Sequence, residues 1–375
     1  MSNSTRVGHE PLIRISKKDV APWWQKAVVR VVALVVALIV DAIFIYLFTK
    51  MNPLDVFSTM FKGTFVFDYG TTFFINKLLR TLRDMATLLC IAIALAPAFK
   101  MKFWNIGAEG QVLMGGLATA CVMQYFGDSL PTPALFMLML TASIVAGAVW
   151  GFLPAFFNAK WKTNETLFTL MMNYIAIDAV ACMTNIWRGD KSAMGTINQA
   201  TQAGWFPNIF NQRFTLNLFI VAALMIIVFV YLRYSKQGYE ISVVGESENT
   251  AKYAGINVKK VVIRTMIISG AICGICGFMT VAGKDQAIST ATAGGYGFTA
   301  IIVAWMAKFN TFYMAMISFL IVFLEHGASE IANTYGGLND YAASVITAVI
   351  LFCLIGSEFF LNYNIKLRKG SKKEA

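Results

Sequence analysis

Asn105, Glu109 and Gln111 sit close together in Phe103-Trp104-Asn105-Ile106-Gly107-Ala108-Glu109-Gly110-Gln111, between two apolar runs each long enough to cross a bilayer. Polar side chains at such a place persist only if they face protein or a water-filled path. A second polar break, Thr292-Ala293-Gly294-Gly295-Tyr296-Gly297-Phe298, adds two aromatic rings, and Asn173 interrupts another apolar run. Trp104, Asn105, Glu109, Gln111, Asn173, Tyr296 and Phe298 combine hydrogen-bonding groups with aromatic faces. That mix suits a polar, ring-bearing solute whose faces stack while its edges find partners. No nucleophile and base can be paired for enzyme chemistry. The histidines are His9 and His326, and no His, Cys and carboxylate cluster has metal-ligand spacing. Cofactors are therefore expected to be none in this chain.

The elements that must position these residues are membrane helices. The chain has 375 residues, is 57% hydrophobic and only 14% charged, with a mean hydropathy of +0.62, whereas soluble domains carry about 25% charged residues. Apolar runs recur from residue 31 to residue 356, and they are continuous rather than alternating, which excludes a closed barrel. The expected fold is all-α and polytopic. The net charge of +11 lies in short joints and tails that set topology, so no nucleic-acid partner is expected. All six cysteines fall in apolar runs. Cys273-Gly274-Ile275-Cys276 reads as helix packing beside Ser269, Gly270 and Gly277, not as a redox pair.

About ten spans are expected: 31–49, 84–99, 106–126, 134–157, 166–187, 214–232, 261–282, a short one ending near 307, 311–331, and a last one ending near 355. Residues 1–30 are expected to form a basic cytoplasmic segment before a retained first helix, 31–356 the transmembrane domain, and 357–375 a basic cytoplasmic tail. An interfacial helix is expected around Phe57 to Phe65. Lys77, Arg80 and Arg83 fall on the outer side and run against the charge rule. Asp41 is expected to tuck toward other helices, and Glu325, His326 and Glu330 to cap or contact rather than relay protons.

The largest charged joint, residues 233–260, is cytoplasmic in this topology. Ser247 to Ala254 can make about two helical turns, with Ser247 as N-cap and Gly255 as stop. Spans two to five run opposite to spans seven to ten, and the third and eighth both start at a glycine-interrupted break. Such an inverted repeat with paired breaks points to a midplane binding site. Glycines that only let helices pack are the alternative, but Asn105, Glu109 and Gln111 are too polar for packing alone. Glu109, at the start of the third span, is expected to be an architectural acceptor for its own first turn rather than a proton carrier.

With these residues in hand, the sequence resembles permease subunits of bacterial ABC importers of the nucleoside and simple-sugar type, in the branched-chain amino acid superfamily. The resemblance rests on Asn105 to Gln111, on Thr169-Leu170-Met171-Met172-Asn173-Tyr174-Ile175-Ala176, on Val244-Gly245-Glu246 and Lys252-Tyr253-Ala254-Gly255-Ile256-Asn257-Val258, and on Gly294 to Val303. It spans nearly the whole chain after residue 50. It implies a second permease subunit, identical or related, separate ATP-binding subunits, and a periplasmic or lipid-anchored substrate-binding protein. It also implies an inner-membrane location with both termini cytoplasmic, and it leans toward nucleosides over ribose-like sugars. Glu246, Ser247, Asn249, Tyr253, Ala254 and Gly255 would then receive the ATPase. Independently, the chain lacks a G-x-x-x-x-G-K-[ST] loop, so ATP hydrolysis is expected in partner subunits. The competing reading is an ion-coupled secondary transporter using Asp41, Glu109, Asp178 and Glu325; the charged docking joint separates the two.

Overall fold

The structure is a computed structural model describing residues 13–17, 22–50, 52–65, 71–191, 194–209, 212–335, 345–346, 348–350, 352–353, 355–357, 359 and 363–367. The joint at 336–340 and the basic residues Lys18, Arg368, Lys369, Lys372 and Lys373 lie outside the described residues. The chain divides into two compact units, Met1–Tyr69 with Phe323–Ala375, and Gly70–Val322.

In the first unit, β1 (Ile13–Lys17) pairs antiparallel with β2 (Tyr363–Leu367), Ile15 opposite Ile365. This pair is an addition to the all-α expectation. Its signal was the alternation of Ile13 and Ile15, and of Tyr363, Ile365 and Leu367, with polar neighbours. Helix α1 (Trp23–Thr49) starts earlier than expected and holds Asp41 buried. Helix α2 (Pro53–Lys62) is the expected helix of the joint, with Asn52 accepting from the Leu54 N–H at 3.1 Å and Pro53 at the first position, where no donor is needed.

The second unit carries α3 (Thr71–Lys100), α4 (Ala108–Phe126), α5 (Thr132–Trp161), α6 (Glu165–Arg188), α7 (Thr215–Tyr234), α8 (Lys236–Glu246), α9 (Glu248–Tyr253), α10 (Val258–Met279), a π-helical segment (Thr280–Asp285) and α11 (Tyr296–Met306). Helix α12 (Thr311–Thr334) runs from this unit into the first. Among the described residues six helices are long and apolar enough to cross a membrane. The apolar windows of α3 and α10 are 83% and 67% buried, against 28% for α5, α6 and α7, so the first two form the core and the others its rim.

Small residues let α10 occupy that place. At Gly274 a Cβ would lie 3.4 Å from the Gly147 Cα of α5 and closer still to the Ser143 carbonyl, so the helices meet backbone to backbone. Cys273 and Cys276 are buried, and the Cys276 thiol donates toward the Thr87 carbonyl of α3 at 3.7 Å, a packing role.

Two elements differ from expectation. Helix α3 begins earlier than expected and includes residues 71–83, and there Arg83 and Lys284 both pair with Asp84, at 3.1 and 3.0 Å. The basic residue that ran against the charge rule is thus locally balanced. Residues 236–246 form α8, because Ser235 caps Gly238 at 2.9 Å and Gly238, Ile241 and Gly245 share one buried face. Gly274→Val should overpack the α5–α10 seam at a cost of about 1–3 kcal/mol; the purified protein should melt several degrees lower in detergent, and an unchanged melting point would contradict the close approach.

Candidate functional site

Helix α3 ends at Lys100 and α4 begins at Ala108, leaving residues 101–107 as a break whose backbone groups need partners inside the protein. Side chains from α6 supply them. The Gly110 N–H donates to Asn173 Oδ1 at 2.9 Å, and Asn173 Nδ2 donates to the Ile106 carbonyl at 2.9 Å. The Ile106 N–H donates to Thr169 Oγ1 at 3.1 Å, one helical turn along α6 from Asn173. Asn105 Oδ1 accepts from the Gly107 N–H at 3.0 Å, while its amide lies 3.4 Å from both Gln111 Oε1 and Ser269 Oγ. Asn105, Gln111, Thr169 and Asn173 are all buried. Thr169 and Ser269 were not singled out as site residues; the four-residue spacing of Thr169 and Asn173 was the available signal.

The second break is tied to the first by Glu109. One carboxylate oxygen accepts from the Gly295 N–H at 2.9 Å and the other from the Gly297 N–H at 2.8 Å. Glu109 is an architectural acceptor as expected, but it serves the N-terminus of α11 and not its own first turn. That N-terminus presents unpaired donors and the positive end of the helix dipole, which favour a carboxylate there. Gly297 is required by the approach: a Cβ would lie 2.7 Å from Glu109 Oε2 and 2.9 Å from its Cα.

Of the expected solute-facing residues, then, Asn105, Glu109, Gln111 and Asn173 are brought together as a buried network. Trp104 and Phe298 are exposed and Tyr296 is half-buried, with Lys284 Nζ 6.0 Å from its ring. Trp104 stacks on Trp305 with ring centroids 5.4 Å apart, and both remain about half exposed, at 44% and 43%. Phe309 meets Trp305 edge-on. Trp305 and Phe309 were missed, although Trp305 lies seven residues, two turns, after Phe298 on α11.

A sequence family described as the permease component of branched-chain amino acid transport systems matches residues 77–354. The chain belongs to this permease family. It is 28% identical to a guanosine ABC transporter permease of Bacillus subtilis over 91% of this chain and 96% of that protein. It is 26% identical to a nucleoside ABC transporter permease of Lactococcus lactis, over 93% and 95% of the two chains. A glucose ABC transporter permease of Haloferax volcanii is 27% identical over 97% of both. The chain is thus a membrane protein and the permease component of an ABC importer, a class that works with ATP-binding and substrate-binding partners.

In the permease, residues 233–260 fold as a jointed element. Helix α8 turns at Ser247, whose hydroxyl accepts from the Thr250 N–H at 3.3 Å, and α9 follows to Tyr253. Gly255, at φ +76°, ends it as expected. Glu246, Asn249, Ala254 and Gly255 are exposed, Ser247 is half-buried, and Tyr253 is 94% exposed. Glu240 pairs with Arg264 of α10 at 2.9 Å, whereas the Lys162–Glu248 pair at 3.2 Å is solvent-exposed and adds little. The inner face of α8 rests on the first break: a side chain at Gly245 would strike the Lys100 carbonyl. Beside this contact lies a polar cavity of about 410 Å³ lined by Met101, Phe103, Asn158, Glu165, Val244 and Glu248.

Two outcomes follow. Glu109→Leu leaves the buried Gly297 N–H unpaired at about 1–3 kcal/mol and removes the acceptor of the more open Gly295 N–H, so uptake should fall severely and the melting point with it. Glu109→Gln, which can still accept one N–H, should lie between it and the wild type, and equal behaviour of both variants would contradict the two-point contact. Gly245→Leu should leave the protein inserted and partner ATPase activity present while uptake drops by about tenfold or more, because the α8 contact no longer closes; uptake at the wild-type rate would show that α8 does not act on the break.

Proposed function

We propose that the permease forms the ATP-driven import path for nucleosides or related small polar solutes. The observation that carries this reading is the exposed Trp104–Trp305 stack beside the two joined breaks, which offers ring faces next to a rigid polar core. The relatives named for guanosine and for nucleosides agree with it. A simple-sugar substrate is the second reading, favoured by the relative named for glucose, since sugar rings also stack on indoles.

The finer architecture belongs to the same proposal. Ten spans are supported by the six long helices together with α1, α4, α11 and the helical residues between 345 and 359. An inverted repeat relates α3–α6 to α10–α12 and that last segment, with α4 and α11 as the paired helices that start at breaks. Residues 1–30 and 357–375 flank the permease domain 31–356 on the cytoplasmic side of the bacterial inner membrane. Two permease subunits, identical or paralogous, pair in the bilayer and receive solute from a periplasmic or lipid-anchored binding protein. ATP is hydrolysed on separate subunits that grip Glu246, Ser247, Asn249, Tyr253, Ala254 and Gly255, and this chain needs no cofactor and binds no nucleic acid. Trp104, Tyr296 and Phe298 face the solute, while Asn105, Glu109, Gln111 and Asn173 hold the path in shape from behind. The commitment of Glu109 to two backbone N–H groups argues against a proton-carrying role.

In proteoliposomes holding the permease with its ATPase and binding protein, ATP should drive uptake of labelled guanosine, with unlabelled nucleosides competing better than glucose or ribose. Trp305→Ala should lower that uptake by about tenfold, in keeping with about 1 kcal/mol or more for one aromatic stack. Uptake of glucose alone would select the sugar reading, and guanosine uptake that persists without ATP but needs an ion gradient would contradict the mechanism.

A further inference from the structure

Helix α6 is buried on one side only. Thr169, Met172, Asn173, Ala176 and Val180 form its inner face, against α4. On the opposite side Tyr174, Asp178 and Asn185 are exposed. At about 100° per residue these three fall within an arc of about 40°. Leu167 and Met171 continue the same stripe toward the helix start. Asp178 lies thirteen residues into this 24-residue helix, about 20 Å along a length of about 36 Å. Among the described residues no hydrogen bond or ion pair reaches it.

A carboxylate halfway along a spanning helix cannot rest in hydrocarbon. A dry seam with a second copy through the same face would set carboxylate toward carboxylate, and the sequence offers no Lys or Arg between Lys162 and Arg188 to compensate. Water is the remaining neighbour. The stripe also changes character along its length: toward the helix start lies a mainly apolar groove of about 380 Å³ lined by Leu167, Phe168, Met171, Met172 and Ile175, with Thr163 and Asn164 at its end.

We infer that the outer face of α6 lines the aqueous path, with Asp178 and Tyr174 as a mid-membrane selectivity point for neutral, donor-rich ring solutes and Asn185, about 10 Å further along the helix, as a polar contact nearer its end. This rests on the import reading above and adds a site to it. The carboxylate accepts from solute hydroxyls or ring N–H groups, the Tyr174 ring offers a stacking face, and the Asn185 amide both donates and accepts. The same charge rejects a phosphorylated solute, so the free nucleoside passes and its phosphate ester does not. Past this point the groove is mainly apolar, with Thr163 and Asn164 as its polar residues at the helix start, and a solute moving toward the cytoplasmic end is held only weakly there.

The test uses the assembled transporter in proteoliposomes, with Cys182→Ala to remove the exposed native thiol of α6. Tyr174→Cys and Asn185→Cys are made singly and treated with a cationic and an anionic water-soluble thiosulfonate, with Gln202→Cys in the outer joint as the reactive control. Both α6 positions should react, guanosine should slow them, and the cationic reagent should react about tenfold faster than the anionic one at Tyr174→Cys. Adding Asp178→Asn should bring that ratio close to one and let the transporter accept guanosine monophosphate, while uptake of guanosine itself continues with a raised KM. No reaction at either α6 position while Gln202→Cys reacts, a reagent ratio unmoved by Asp178→Asn, or a disulfide forming between Tyr174→Cys of two copies would each overturn the inference. If the wild-type assembly imported no nucleoside, the substrate reading would fail, but the accessibility and charge ratios would still decide whether α6 lines water.

Discussion

A carboxylate that receives two backbone N–H groups from another helix is the contact on which the site depends. Glu109 stands in the first turn of α4 and accepts from Gly295 and Gly297 at the start of α11. Each glycine-rich break leaves backbone donors without a partner in their own helix, and the buried ones, the Gly110 and Gly297 N–H groups among them, need an acceptor from the protein. The first break finds its partners on α6, in Thr169 and Asn173. The second finds Glu109, which belongs to the helix that the first break starts. Three helices are thereby fixed to one another through two irregular segments, and the exposed indoles of Trp104 and Trp305 are held at their edge.

The same arrangement explains how an element outside the spans can act on that core. Helix α8 reaches the first break without an intervening side chain, because Gly245 lets its backbone meet the Lys100 carbonyl. Glu240 ties α8 to Arg264 of α10, the central helix of the unit. A push on the exposed tip at Tyr253 therefore has a short mechanical route, α9 to α8 to the break, into a region that is cross-braced rather than soft. The polar cavity beside the contact gives the element room to shift without rebuilding the core.

Much of this was legible in the sequence, and the remainder was hidden for identifiable reasons. Residues 105–111 were legible as polar groups that must face protein or a water-filled path and were read as solute contacts, where the structure shows a buried network, and Ser247 with Gly255 marked the bounds of α9 through their capping chemistry. The partner of Glu109 was not legible: pairing across nearly two hundred positions leaves no local signature, so the nearest N-terminus, its own, was the natural expectation. Helix α8 was obscured by its charges: Lys236 and Glu246 lie away from Ile241 and Gly245, and Glu240 turns to Arg264 of α10. Asn173 read as a solute contact because a polar residue within a span looks the same in sequence whether it faces a lumen or a neighbouring backbone; the neighbouring Tyr174 and Asp178, on the other side of the same helix, are the ones that face outward.

The central claim is that the two breaks move as one body, joined at Glu109. Cryo-electron microscopy of the assembled transporter, without nucleotide and with ATP trapped by a hydrolysis-deficient ATPase subunit, tests it directly through the distances from the Glu109 carboxylate to the Gly295 and Gly297 nitrogens. The account predicts that both stay at hydrogen-bond length in the two states while α8 and α9 shift. Separation of the carboxylate from α11 in either state, with the backbone donors turning to water or solute, would contradict it.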